Sequence, residues 1–358
     1  MKRNLTISLF ASVGLSAAAL YLAFRNVPLS DLLSYLGSIN YYWVIPSVAI
    51  ALISFALRVI RWQIILASIQ QIGFWQAFHP LMIGFMINCI LPGRVGEMAR
   101  PVILRQREKI PFSAGLATVA EERVFDICIL ISLFVVVLAT VPIQPDLFIS
   151  FGKYRLDRET LEMIGSGMLK LCLVLIAGIV MVTIEKTRNL INRLIMKAPG
   201  LFVFISQEGR ESIRCRVSRP LAGVVDNFAR GFSLVRYPKK MIACILLSIG
   251  VWYLAALSIY VMALGCPGVN GLSFLQLAAV FVIICFFIAL PSVPGFWGVW
   301  EAGGVFALSL FGVSARDAAG FTLANHAIQM IPIIMIGIVS AVITGINILK
   351  VAYDKDVP

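Results

Sequence analysis

The stretch Leu91-Pro-Gly-Arg-Val-Gly-Glu97 has a counterpart in the second half of the chain, Leu290-Pro-Ser-Val-Pro-Gly-Phe-Trp-Gly-Val-Trp-Glu301. Each interrupts an apolar run, 76–90 in the first case and 273–290 in the second. Each is followed by a second short segment, 97–105 and 298–312. Proline removes a backbone donor and glycine favours turns, so an uninterrupted helix through either break is disfavoured. Non-helical backbone at membrane depth is tolerated only where protein or a wet cavity covers it. Two re-entrant helical hairpins, 76–105 and 273–312, meet both conditions. A pair of proline-kinked helices without functional symmetry is the plainer alternative.

The surroundings of the breaks are those of a membrane protein. Hydrophobic residues make up 60% of the 358 and charged residues 13%, against roughly 45–50% and about 25% in a soluble domain. Mean hydropathy is +0.93. The apolar excess falls in blocks about as long as a helix needs to cross a hydrocarbon core of roughly 30 Å. Six blocks read as full spans: 5–24, 42–67, 113–140, 167–184, 241–264 and 320–349. Met1-Lys-Arg before Leu5–Phe24 has the outline of a signal peptide, but the apolar run is long and more spans follow, so an uncleaved first span is expected. The predicted fold is an all-α polytopic membrane protein, with six full transmembrane helices plus two inverted re-entrant hairpins in a single integral domain, 1–358.

The formal charge of +12 is concentrated in one set of loops, which is the positive-inside pattern and calls for no nucleic-acid partner. Lys2 and Arg3, then Arg105, Arg107 and Lys109, and above all the basic segment 186–240, mark the cytoplasmic side. The mixed-charge segment 141–166 suits the outside. Six crossings place both termini in the cytoplasm, in a bacterial-type inner membrane. The first hairpin then enters from the cytoplasm and the second from outside, so the two are inverted. Sliding the chain by about 204 positions superposes Glu97 on Glu301, Ala114 on Ala318, Thr118 on Thr322 and Glu122 on His326. The first repeat spans 42–140 and the second 241–349. Inverted repeats built on broken helices, with a midplane site between them, recur in secondary transporters.

Ionisable groups at membrane depth are costly, so they pair and face a cavity. Arg94, Glu97 and Arg100 follow one another at three-residue spacing, which aligns them on one helical face. Glu122, Arg123 and Asp126 occupy adjoining parts of the next span. This set is either a salt-bridge network locking hairpin to span or a substrate site. Arg58 and Arg61 lie in the last turns of the second span. They either snorkel to the interface or receive a lipid phosphate, for which the guanidinium fork is well shaped. Glu301 is the one acid of the second hairpin, and Asn325 and His326 are polar residues of the last span. His326 suits either a proton relay or a hydrogen-bonded packing position. The stretch 219–236 reads as an amphipathic helix, lying on the anionic leaflet or covering the bundle.

The seven cysteines form no C-x-x-C pair, and no metal site or cofactor is expected. There is no H-E-x-x-H, Walker A or G-x-S-x-G motif, so no enzyme is expected.

The string Leu91-Pro-Gly-Arg-Val-Gly-Glu-Met-Ala-Arg100, followed by Ala117-Thr-Val-Ala-Glu-Glu-Arg-Val-Phe-Asp126, resembles the flippase-like family. This is the membrane region of lysylphosphatidylglycerol synthases (multiple peptide resistance factor) and their stand-alone relatives. Pro294-Gly-Phe-Trp-Gly-Val-Trp-Glu301, Phe311-Gly-Val-Ser-Ala and Arg61-Trp62 resemble its other motifs. The resemblance implies movement of a lipid headgroup between leaflets. The substrate it implies is anionic, aminoacylated or polyprenyl-linked. It places Arg94, Glu97, Arg100, Glu122, Arg123 and Asp126 in a first motif and Pro294, Gly295, Gly298 and Glu301 in a second. An arginine often found in the family's last span is replaced around Asn325-His326, and the aminoacyl-transferase domain is absent. The expected partners are membrane lipids with anionic headgroups, with a homo-oligomer or a lipid-synthesising enzyme admissible beside them. A non-transporting membrane partner that positions a lipid-modifying enzyme or a glycosyltransferase is the alternative function.

Overall fold

In the computed structural model the apolar runs become helices, because a backbone surrounded by hydrocarbon must satisfy its own hydrogen bonds. The structure describes residues 2–25, 27–91, 94–140, 149–151, 154–156, 166–167, 170, 173–174, 177–178, 181–201, 206–231, 237–289, 293–348 and 351. Before the first break the chain forms α1 (Lys2–Phe24), α2 (Leu29–Ser38), α3 (Val44–Leu66) and α4 (Phe74–Ile90); α5 (Val95–Glu108) and α6 (Phe112–Thr140) follow it. A short antiparallel pair, β1 (Ile149–Phe151) and β2 (Tyr154–Leu156), comes next. The basic segment holds α7 (Glu185–Lys197), α8 (Gln207–Ile213) and α9 (Arg219–Gly231). The chain continues with α10 (Pro238–Ala263), α11 (Phe274–Phe287), α12 (Val299–Ser309) and α13 (Ala315–Thr344).

Among the described residues three stretches are long and apolar enough to cross a membrane: Tyr41–Leu66, Pro238–Ala263 and Ala315–Thr344. They match the spans expected at 42–67, 241–264 and 320–349. Lipid-facing stripes are visible on them. Ile242, Leu246, Ile249 and Tyr253 of α10 are exposed at helical spacing, as are Ile331, Met335, Ile338 and Val342 of α13. The protein is therefore a multi-pass membrane protein. The span expected at 5–24 falls within α1, and that at 113–140 within α6, whose first half carries Glu121, Glu122, Arg123 and Asp126. Of the span expected at 167–184, residues 168–169, 171–172, 175–176 and 179–180 lie outside the described residues, as do 141–148, 152–153 and 157–165 of the segment before it.

At both breaks the helix stops short. The 17 residues of α4 and the 14 of α11 reach only about 25 and 21 Å at the helical rise, less than the hydrocarbon thickness. Pro92, Gly93 and Leu290–Ser292 lie outside the described residues. On the far side Arg94 takes a left-handed conformation (φ 54) before α5, and Gly295 (φ 69) and Gly298 (φ 91) turn the chain into α12. A β-carbon at Gly298 would run into the Ser16 backbone of α1, so glycine serves both the turn and the approach there.

The same neighbours recur in the two halves. α4 packs on α5 and α11 on α12; α5 packs on α6 and α12 on α13. Crosswise, α4 lies on α13 and α11 on α6. Along the middle, α3 and α10 run antiparallel. Ser47 Oγ donates to the Ser258 carbonyl (2.8 Å), Ser258 Oγ to the Ser47 carbonyl (2.9 Å), and Ser54 Oγ to the Val251 carbonyl (3.0 Å). Small hydroxyl residues of this kind let membrane helices approach closely. At the α4–α5 crossing a β-carbon on Gly96 would collide with the Gly84 carbonyl, and Asn88 Oδ1 accepts from the Gly96 N–H (2.8 Å). α9 runs beside α6 and α7; of the stretch 219–236, residues 232–236 lie outside the described residues.

Candidate functional site

The charges of the first half converge at one point, where α3, α5, α6 and α10 meet. Glu122 and Asp126 are one helical turn apart and project together from α6. Arg61, fully buried, reaches Asp126 Oδ1 (2.7 Å) and Glu122 Oε1 (3.3 Å). The same guanidinium donates to Ser248 Oγ (2.7 Å). Arg100 closes on the other oxygen of Glu122 (2.6 Å) and lies over the Trp62 indole, 4.0 Å from its centroid. Trp62 in turn donates to Thr118 Oγ1 (3.0 Å). Arg123 spans Glu122 (2.9 Å), Asp126 (3.1 Å) and, loosely, Glu97 (3.9 Å). Arg58 sits 3.8 Å from Asp126 within reach of the Phe55, Phe85 and Trp252 rings. Four arginines thus meet three carboxylates, and Glu121, buried on the same helix, adds a fourth carboxylate to that segment.

Buried ions survive only when paired and hydrogen-bonded, and the inner members of this cluster meet that condition. Its rim does not close. The side chains of Arg123 and Glu97 are 32% and 29% exposed, and Arg94 is exposed beside them. The Nε atoms of Arg58, Arg61, Arg100 and Arg123 are buried with no hydrogen-bond partner among the described residues, so donor capacity is left in the cluster.

The second half is built differently. Glu301 is fully buried at the start of α12. Its Oε2 reaches back to accept from the Gly298 N–H (2.7 Å), satisfying one free donor of the first turn, and its Oε1 meets His326 Nδ1 (2.6 Å). The imidazole is stacked on Trp300 (4.6 Å, 7°) and lies 4.5 Å from the Trp297 ring. Asn325 is buried beside it with neither amide atom hydrogen-bonded among the described residues.

The two halves touch through their breaks. Arg94 donates to the Ile288 carbonyl (2.5 Å) and stands over the Phe296 ring (5.5 Å). Gly295, in the turn that begins at Pro294, lies against the Cys89 carbonyl at the end of α4.

Several sequence expectations change at this level of detail. Arg61 does not snorkel: it is locked by two carboxylates and a serine, because its helix turns that face inward. Arg94 does not share a face with Glu97 and Arg100; its left-handed backbone puts it outside α5 and aims it at the other half. Glu301, the one acid of the second hairpin, bonds to a backbone amide and a histidine. Ser248, Trp252, Trp297 and Trp300 were not singled out as site residues. Trp252 donates to Asp126 Oδ1 (3.2 Å). The available signals were a serine inside an apolar span and two tryptophans three residues apart. Among the described residues no cluster of metal-binding side chains occurs.

A helical membrane bundle with this pair of interrupted helices and this charge cluster defines a class, and comparison with known proteins assigns it. The profile described as lysylphosphatidylglycerol synthase TM region matches residues 9–337, and the chain belongs to that family. It is 23% identical over 266 residues to the UPF0104 membrane protein MJ1078 of Methanocaldococcus jannaschii, covering 74% of this chain and 96% of that one. It is 30% identical over 135 residues to the glycosyltransferase AglD of Haloferax volcanii, covering 37% of this chain and only 21% of AglD. No solved structure matches.

Proposed function

We propose that the protein moves a lipid with an anionic or aminoacylated headgroup, or a polyprenyl-linked lipid, between the leaflets of a cytoplasmic (inner) membrane. One observation carries this reading: the tips of two interrupted helix pairs meet at Arg94, Ile288 and Gly295, and the arginine–carboxylate cluster of the first half has an open rim. Interrupted helices that expose backbone and charge to a shared point near the midplane are what secondary transporters use as a substrate site. In this reading α4–α5 and α11–α12 are re-entrant hairpins entering from opposite faces, with both termini cytoplasmic. Arg94 and Arg123 take the phosphate, and Glu97 takes a cationic group where the headgroup carries one. Arg61, Arg100, Glu122 and Asp126 form the rigid wall behind them, with Arg58 at its edge. No bond-making step is assigned to the chain. Leaflet exchange of labelled phosphatidylglycerol in proteoliposomes tests it: exchange that needs Arg123 and Glu97 supports the reading, and exchange unchanged in an Arg123→Gln, Glu97→Gln double variant overturns the site.

The partial match to AglD favours a second reading, in which this membrane module positions a glycosyltransferase or lipid-modifying enzyme through the basic segment 186–240. Neutralising Arg214, Arg216 and Arg219 is then expected to abolish co-purification of that enzyme, with the rim charges immaterial.

A further inference from the structure

We infer that the Glu301–His326 pair is a proton-binding site whose proton drives the lipid movement; the inference rests on the translocase reading above. Arginine keeps its charge under all cellular conditions, so the cluster on α6 cannot report on pH. Histidine is the side chain whose charge changes in that range, and the second half places one at 2.6 Å from a buried carboxylate. With one proton on Nε2 and a second shared between Nδ1 and Oε1 the pair is neutral overall. When one of the two leaves, a carboxylate and a neutral imidazole with a single ring proton remain, and the pair carries one negative charge in a dry setting. Such a charge is tolerated only if a cation approaches.

The structure supplies a route to one. The imidazole lies against Trp297, Trp297 adjoins Phe296, and Phe296 lies under Arg94. Arg94 is also the residue that holds the first break to the Ile288 carbonyl of the second. Loss of the proton therefore draws positive charge toward the second break, at the contact on which both halves and the substrate phosphate depend. Asn325, buried next to His326 with both amide atoms unpartnered among the described residues, offers further polar capacity for a proton path.

The elements packed against α13 bring few competing groups. α12 contributes Glu301 alone, α4 His79 and Cys89, and α2 Asp31 and Tyr35. α3 contributes Arg58 and Arg61, both engaged by Asp126. α10 adds Cys244, Tyr253, Tyr260 and the lysines of its first turn, and α13 itself has Arg316 and Asp317. The described polar contact of His326 is to Glu301.

The chain has two histidines, His79 and His326, so imidazole nitrogen NMR of the full protein in lipid nanodiscs can follow the proton directly, with His79→Asn assigning the signals. Spectra are taken between about pH 5 and 8, and the His326 signals are expected to show both ring forms across the series, in a proportion that Glu301→Gln changes. In proteoliposomes with labelled phosphatidylglycerol, one proton moved per lipid across one pH unit is expected to shift the leaflet ratio about tenfold. In His326→Gln the ratio is expected to ignore the gradient. An imidazole that keeps one form throughout that range overturns the inference. So does a parent protein that exchanges lipid but ignores the gradient, which leaves the translocase reading standing. Absence of any exchange from folded, inserted parent removes the translocase reading and, with it, the drive, even where His326 titrates.

Discussion

The two halves place polar groups at matching points and use opposite chemistry there. Glu97 and Glu301 correspond in the 204-residue offset, as do Glu122 and His326, and Arg100 corresponds to Gly304. In the first half the carboxylate on the long helix is gripped by three arginines. In the second half the arginine is gone, and a β-carbon at Gly304 would press on Thr322 of α13. The charge there shrinks to one carboxylate and one imidazole between indoles. The first half is thus a lattice of arginines and carboxylates and the second a single carboxylate–imidazole pair, although both hold the same helices in the same order. Similar backbone arrangements do not impose similar electrostatics.

That contrast can be broken experimentally, most severely at Arg61. Arg61→Leu leaves Asp126 and Glu122 under-compensated in a buried site, a loss of about 3–5 kcal/mol. It is expected to show as a collapse in folded yield and in thermal stability in detergent. Adding Asp126→Leu should recover part of the loss; if the double variant is worse than the single one, the lattice is not what holds α3 to α6.

Gly96→Ala should come next, at about 1–3 kcal/mol, because the obstacle is the Gly84 backbone and cannot swing away. Gly304→Ala meets the Thr322 side chain instead and is expected to cost less. Equal thermal shifts would refute the difference drawn between the crossings.

Glu301→Ala removes the cap at Gly298 and the partner of His326, with an expected cost of about 1–2 kcal/mol. Glu301→Gln should recover most of it, since an amide still accepts from Gly298. Thermal unfolding of the two variants side by side decides whether the second half depends on hydrogen bonds or on charge.

Arg123→Gln should be milder than Arg61→Leu, because Arg61 and Arg100 still hold Glu122 and Arg61 still holds Asp126. Its thermal midpoint is expected closer to the parent's, while leaflet exchange is lost. A large drop in stability would move Arg123 from the rim into the lattice.

Much of this was legible in the sequence because the signals are local. Prolines and glycines announced both breaks, and hydropathy announced the spans at 42–67, 241–264 and 320–349. The four-residue spacing of Glu122 and Asp126 announced one charged helical face. What stayed hidden depends on distant pairing. Arg61 finds Asp126 across 65 positions, and Arg94 finds Ile288 across 194. Neither separation leaves a trace in periodicity. Arg94 was also assigned to a helix it does not join, since a non-glycine residue with positive φ is uncommon and nothing in its neighbours signalled one. The indoles around His326 looked like ordinary apolar residues until the turn at Gly298 folded them back over α13.

The serines between α3 and α10 have a mechanical consequence. Their acceptors are main-chain carbonyls, so each of these bonds is tied to backbone position; the Ser47 and Ser258 hydroxyls also lie 3.1 Å apart. Ser47 and Ser258 exchange these bonds reciprocally. Sliding either helix by one residue would break both bonds, and that at Ser54 as well. The pair therefore behaves as a keyed joint: any motion along it has to break the key first.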